Sequence, residues 1–267
     1  MLLVNKQGLG AFDPLGMQGA VSLDADALAF IARITTPPTD LRKSQINSVF
    51  VALKAAGVLT KLDALYVFAA ADAQASLLNW ASTSFNATNV SATSFTADVG
   101  YTGDGVADYI DTNYNLSTSG GQLVRDSASI FAWSNTAAVN DTHIMGNNTA
   151  AAVNMQVRPR GTGDLCQINV SSASTLSKAN ADGLGLFAGN RTSSTAVESF
   201  RNGSSLGTGS VTSAALESTT MCFLRRSATF STHQVLCGGF GTVLTTQNHA
   251  DLYTALHTYL QAVAGIA

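Results

Sequence analysis

Residues 153–171 read VNMQVRPRGTGDLCQINVS. Val153, Met155 and Val157 alternate with Asn154, Gln156 and Arg158; Cys166, Ile168 and Val170 alternate with Gln167, Asn169 and Ser171. A period of two marks a strand with one face buried and one face polar. The intervening PRGTGD is rich in turn residues, so the two strands are expected to be neighbours. Cys166 keeps step with Ile168 and Val170, which makes it a core residue.

The same texture runs on both sides of this stretch. From Trp80 onward Ser, Thr, Asn and Gly become dense. SASIFAWS (127–134) and GLGLFAGNR (183–191) read as interior strands. In VESFRNGSSLGTGSV (197–211), Asn202-Gly203 fits a two-residue type I′ turn, which needs positive φ at both central positions. Many short strands at this spacing predict a mainly β, antiparallel sandwich or barrel. Composition agrees: of 267 residues, 46% are hydrophobic but only 12% charged, about half the usual charged share. Net charge is −3 with no basic run, which argues against nucleic acid as a partner. No apolar run approaches the ~20 residues of a membrane span. Cys166, Cys222 and Cys237 form no C-x-x-C pair and read as small buried hydrophobes.

Both ends differ from the middle. TTQNHADLYTALHTYLQAVAG predicts a closing helix over 246–264, capped by Thr245 or Thr246, with Leu252, Leu256, Tyr259 and Val263 on its buried stripe. Near the start, Leu28, Ile31 and Ile34 recur at helical spacing until Pro37 and Pro38. Thr39 or Asp40 then caps a second helix with Leu41, Ile46, Val49, Phe50 and Leu53 on one stripe, and Gly57 suits its C′ position. Both terminal helices carry wide apolar faces and are expected to pack on each other. Residues 1–23 hold four glycines and one proline among unperiodic apolar groups. That suits an extended arm laid on a neighbouring subunit, with Phe12, Leu15 and Met17 as its contacts.

YTGDGVADYIDTNYN (101–115), GLGLFAGNRTSS (183–194), FRNGSSLGTGS (200–210) and GGFGTVLTTQNHADLYTAL (238–256) follow in an order that resembles concanavalin A-like jelly rolls of the laminin-G type. IARITTPP (31–38) ahead of such a unit resembles structural proteins of tailed bacteriophages and prophages. The resemblance implies a two-sheet sandwich over 81–267 closed by the helix 246–264, a helical block over 24–80 and the arm over 1–23. It implies a non-enzymatic virion protein, made in a bacterial cytoplasm. Such a protein would decorate capsid or tail through contacts with other virion proteins and copies of itself. The alternative is a tail-fibre or head-fibre adhesin whose jelly roll binds host glycans, with Tyr109, Tyr114 and Trp133 as an aromatic platform.

Catalysis has little to build on. Glycoside hydrolysis needs two carboxylates at fixed separation. The only glutamates, Glu198 and Glu217, stand in no paired motif. There is no G-x-S-x-G elbow, and His143 and His233 are isolated. His249 and His257 are eight residues apart on one helix, ~12 Å, too far to share a metal. No cofactor is expected. Calcium is the candidate if one is bound, at Asp104, Asp111 and Asn113, whose oxygens suit it. Asp and Asn also make turns on their own account, and that reading is preferred.

Overall fold

The computed structural model describes residues 22–147 and 154–267. Phe12, Leu15 and Met17, and with them the expected arm contact, lie outside the described residues, as does Val153.

In chain order the elements are α1 (Ala25–Ile31), α2 (Asp40–Ala55), β1 (Leu62–Val67), α3 (Ala73–Ser76), β2 (Thr88–Val90), β3 (Ser94–Thr96), β4 (Gly100–Thr102), β5 (Tyr109–Asn115), β6 (Ala128–Asn135), β7 (Met145–Asn147), β8 (Asn154–Gly161), β9 (Leu165–Ser172), β10 (Leu176–Ala179), β11 (Leu184–Arg191), β12 (Ala196–Arg201), β13 (Ser204–Ser210), β14 (Thr220–Phe223), β15 (Arg225–Arg226), β16 (Thr229–Phe230), β17 (Gln234–Gly241) and α4 (Thr246–Ala264). The large sheet runs β13-β12-β11-β6-β17-β4-β3. Strand β4 pairs with Gln234 and Val235 of β17, and β1 takes over the same side from Cys237 to Gly241. The second sheet runs β10-β9-β8-β7-β14-β5-β2. The mainly β, two-sheet antiparallel sandwich with a C-terminal helix is as expected. The segment 24–80 supplies three helices and also β1, a strand of the large sheet.

Two hydrophobic cores result. Between the sheets lie Met155, Val157, Cys166, Ile168 and Val170 of the alternating strands, with Ile110, Tyr114, Phe187, Phe223 and Phe240. On the other side of the large sheet, Leu65, Val67, Phe131, Leu186 and Leu236 pack beneath α2 and α4. Burying each such side chain contributes about 1.5–3 kcal/mol. In β17, Gly238 permits this layering, because a Cβ there would lie 2.3 Å from the Phe223 ring and 2.8 Å from the Phe131 carbonyl oxygen.

Helices α2 and α4 form one layer. Ile46, Val49, Phe50 and Leu53 of α2 share a core with Leu252, Leu256, Tyr259 and Leu260 of α4. The Thr39 hydroxyl caps α2 by accepting from the Arg42 N–H, and Thr245 and Asn248 form a reciprocal capping box on α4. Arg42 crosses between them, donating to Asp98 at 2.7 Å and to the Tyr259 hydroxyl at 3.3 Å. Two expectations for the layer are corrected. Helix α1 buries Ala27 and Phe30 rather than Leu28, which is 50% exposed. Phe30 is drawn in by the Trp80 ring at 4.5 Å, which turns Leu28 outward. Leu41 is also exposed, since it sits in the first turn of α2, before Ile46, where the buried stripe begins.

The Asn202-Gly203 turn has φ of 50° and 76°, as a type I′ turn requires. It lies against α4: a Cβ on Gly203 would sit 2.7 Å from the Cα of Ala250.

Candidate binding surfaces

The expected aromatic platform does not form. Tyr114 is a core residue between the sheets, packed on Phe85 and Phe240, with its hydroxyl 3.3 Å from an Asp63 carboxylate oxygen. It shares a phase with Ile110 on β5, and that phase faces inward. Trp133 is 4% exposed beneath α4, stacked on Tyr253 at 5.6 Å. Tyr109 is half-buried, with the Arg225 guanidinium 4.5 Å from its ring centroid and Phe230 alongside. The three rings therefore lie in three different environments.

The calcium candidates are bound up with the backbone. One Asp104 oxygen accepts from the N–H groups of Val106, Ala107 and Asp108, which holds its carboxyl below the usual range. Asp111 accepts from the Asn113 N–H and the Thr220 hydroxyl. Asn113, at φ 58°, donates to the Asn86 carbonyl and the Thr88 hydroxyl. Among the described residues, no three His, Cys, Asp or Glu side chains cluster closely enough to hold a metal ion.

Three surfaces remain. The first is a groove of about 600 Å³ along α2 and α4, lined by Ser48, Ala52, Ala55, Ala255, Thr258 and Ala262 among others. Small side chains keep it open. The second is the outer face of the seven-stranded sheet. Gln156 pairs across strands with Asn169, and Arg158 with Gln167. Gln156 Oε1, Asn169 Oδ1 and Arg158 Nε are buried without hydrogen-bond partners. His143 lies at the margin of this face. Burial, then the nearby Arg226 and Arg158, pushes its pKa down to about 3.

The third surface is a cleft of about 240 Å³ where β6, β11, β12 and α4 meet. Trp133 and Tyr253 form one wall, with His257 stacked on both rings. Asn135, Asp182, Arg201 and Asn202 supply its polar groups. Arg201 pairs with Asp182 and also donates to the Leu184 carbonyl at 3.1–3.2 Å. Burial pushes the Asp182 carboxyl up, but the Leu184 N–H and Arg201 outweigh it and hold it below the usual range. Of this constellation only Trp133 stands out in the sequence as a binding candidate. The other residues come from four separated segments, and no local spacing links them.

The two glutamates lie in different segments. Glu198 lies on β12, accepting from the Ser205 hydroxyl across the hairpin, and Glu217 lies in the segment before β14.

No protein-family model matches the chain, and no curated protein matches it in sequence. Solved structures do. The binding domain of botulinum neurotoxin serotype D aligns at a TM-score of 0.52 and 10% identity, over 77% of this chain and 53% of that one. Trypanosoma rangeli sialidase in complex with sialic acid aligns at 0.51 and 10% identity, over 82% of this chain and 40% of that one. Domain 4 of AbnA, a GH43 extracellular arabinanase from Geobacillus stearothermophilus, aligns at 0.47 and 13% identity, over 72% of this chain and 98% of that one. The chain thus spans about half of the neurotoxin structure and two fifths of the sialidase. At these identities the likeness is one of fold, a two-sheet β-sandwich.

Proposed function

We propose that the protein is a non-enzymatic structural component of a bacteriophage particle, attached to capsid or tail through protein–protein contacts of its helical layer. The observation that carries this reading is the open groove between α2 and α4, taken together with a chain start whose sequence is rich in unperiodic apolar residues. The phage setting rests on the IARITTPP block ahead of the sandwich. The absence of a paired-glutamate motif supports a role without catalysis.

The occupant of the groove is residues 1–21 of a neighbouring copy. Leu2, Leu3, Val4, Leu9, Phe12, Leu15 and Met17 supply the apolar surface. A copy's own segment starts on the wrong side. The Asp24 N–H is held by Asn47, and its carboxylate by Lys54. At 100° per residue, Asn47 and Lys54 sit on the other flank of α2 from Ala52 and Ala56. A neighbour's segment carries no such constraint on its direction of entry.

Deleting residues 1–21 tests this. The truncated protein should melt as the full chain does, lose self-association in sedimentation, and fail to join particles assembled around it. A full-length chain that is monomeric at all concentrations would overturn the arm exchange. Saccharide cleavage that disappears on changing a single carboxylate would overturn the non-enzymatic reading.

A further inference from the structure

We infer that the β15–β16 hairpin is an acid-released flap: when His143 and His233 at its base take up protons, it lifts from the outer face of the seven-stranded sheet and uncovers Cys222. This goes beyond the assembly role and concerns the side of the sandwich away from the helical layer.

The flap is lightly held. As strands, β15 and β16 pair only with each other, two residues each. The hairpin rests on Gly146, where a Cβ would lie 2.7 Å from the Arg226 Cβ and 2.9 Å from the Arg225 carbonyl oxygen. Gly146 belongs to a row of outward positions that runs Asn169, Gln156, Gly146, Cys222, Asp111 across five strands. Met221 and Phe223, on either side of Cys222, enter the core between the sheets. The Cys222 thiol therefore points outward, yet it is fully buried. Arg225 is close enough to act on it electrostatically. At the root of the hairpin Leu224 is held at φ 64°, a left-handed conformation that a leucine adopts only under constraint.

The lock is a polar cluster between β16 and β17. Ser231 Oγ accepts from the Thr142 hydroxyl at 2.8 Å and from the His233 N–H at 3.1 Å, and it lies 2.6 Å from His233 Nδ1. The Ser231 N–H donates to the Leu224 carbonyl, and the Leu224 N–H to that of Ile144, both at 2.8 Å. The cluster is thereby tied to the hairpin's root. His233 is 0% exposed and His143 8%. Neither His233 Nε2 nor His143 Nδ1 has a hydrogen-bond partner. Each protonated ring would hold a buried charge and one N–H without an acceptor.

The charges around the pair are mostly positive. His143 feels Arg226 of β15, Arg158 of β8 and His233. Asp141 is the carboxylate acting on it, and it is already paired with Arg158 at 3.3 Å. Arg226 donates to Asn154 Oδ1 and pairs with no carboxylate among the described residues. The His233 carbonyl accepts from the Gly103 N–H; Asp104, the next residue, is engaged with three N–H groups of its own loop. Burial, then the nearby cations, holds the His143 pKa at about 3, and burial holds that of His233 at about 4. With the hairpin open, both rings meet water and return toward about 6.5. The closed form is favoured in full above about pH 6.5 and loses ground as pH falls below it. At about pH 5 the opening equilibrium gains about 30-fold for each histidine and roughly 10³-fold for the pair.

The three cysteines report three regions, since Cys166 lies between the sheets and Cys237 beneath the helices. The full chain is treated with 4,4′-dipyridyl disulfide, which stays reactive in acid, at about pH 7.5 and about pH 5, and labelled thiols are located by mass spectrometry. Relative to a model thiol, Cys222 should react about a hundredfold or more faster at the lower pH, with Cys166 and Cys237 still protected. His233→Asn, which keeps a polar group near Ser231, and His143→Leu should each reduce that gain about 30-fold. If His233→Asn already reacts freely at neutral pH, His143→Leu carries the comparison. A Cys222 rate that does not change with pH overturns the proposal. So does joint reaction of all three thiols, which is global unfolding, or an acid gain that survives in both variants.

Discussion

On the large sheet, Leu65, Phe131, Leu186 and Leu236 point outward into a second core beneath α2 and α4. On the seven-stranded sheet the outward positions of β8 and β9 hold Gln156, Arg158, Gln167 and Asn169. The difference is visible in the strands themselves. β6 is buried along seven consecutive residues, Ala128 to Ser134, because both its faces are covered. β8 and β9 put Met155, Val157, Cys166, Ile168 and Val170 into one core and carry amides on the other side. One outer face is covered by α2 and α4. The other carries polar groups whose hydrogen-bonding capacity the protein does not use up, among them Gln156 Oε1 and Asn169 Oδ1.

The largest effect should come from putting a charge into the covered face. Leu256 is fully buried in the helical layer. Leu256→Asp loses its apolar burial and adds an unpaired carboxylate, together about 5 kcal/mol. Hydrogen exchange should rise over 40–56 as well as 246–264, because α2 and α4 share that core. Faster exchange confined to 246–264 would show that α2 stands on the sheet without α4.

That contrast also explains how much the sequence could disclose. β8 and β9 were legible because one side of each strand is apolar and the other polar, which writes a period of two. The type I′ turn was legible because few residue pairs tolerate its two positive φ values. The helical layer was legible because both helices carry more apolar surface than one edge contact needs. Trp133 was not. It lies in a strand buried on both faces, where alternation carries no phase, so nothing local says whether its ring meets α4, the other sheet or solvent. Tyr114 was readable in principle, since it alternates in step with Ile110. The cleft was out of reach: Asn135, Asp182, Arg201 and Tyr253 meet only after the sheet and α4 have assembled.

Gly203 tests how tightly the hairpin is tied to the covered face. Gly203→Val forces a β-branched residue to φ 76° and drives its Cβ toward the Ala250 backbone of α4. The expected loss is about 3 kcal/mol in a denaturant melt, more than the turn alone would cost. A loss near 1 kcal/mol would mean that the hairpin can move away from α4.

Acid should weaken the covered face through His249. Its ring stacks on Phe200 at 3.9 Å, and burial pushes its pKa down to about 3. His143 at the polar margin is also lowered to about 3, and His233 to about 4. In each case the unfolded chain takes up a proton near pH 6.5 and the folded chain only far below it. Their stabilisation is complete above about pH 6.5 and is lost as pH falls toward the folded values. The slope approaches about 1.4 kcal/mol per pH unit for each histidine. Between pH 6.5 and about 4.5 most carboxylates remain ionised, so the histidines dominate the change. His249→Phe should flatten the slope by about a third. An unchanged slope would mean that His249 reaches water in the folded protein.

The smallest effect is expected on the polar face, and its smallness is the point. Gln156 is 4% exposed, and its Oε1 has no hydrogen-bond partner. A desolvated, unpaired carbonyl already costs stability, so replacing the amide with a methyl pair removes that cost along with some polar packing. Gln156→Leu should therefore stay within about 1 kcal/mol of the parent and can fall on the stabilising side. Asn169, directly across on β9, lacks a partner at Oδ1, but its Nδ2 donates to the Ser172 and Ser174 carbonyls. Asn169→Leu should cost more than Gln156→Leu for that reason alone. If instead Gln156→Leu costs more than about 2 kcal/mol in a urea melt, the amide is fully engaged in the folded protein. The outer face of the seven-stranded sheet would then have no spare hydrogen-bonding capacity at that position, and the distinction from the face beneath the helices would fail.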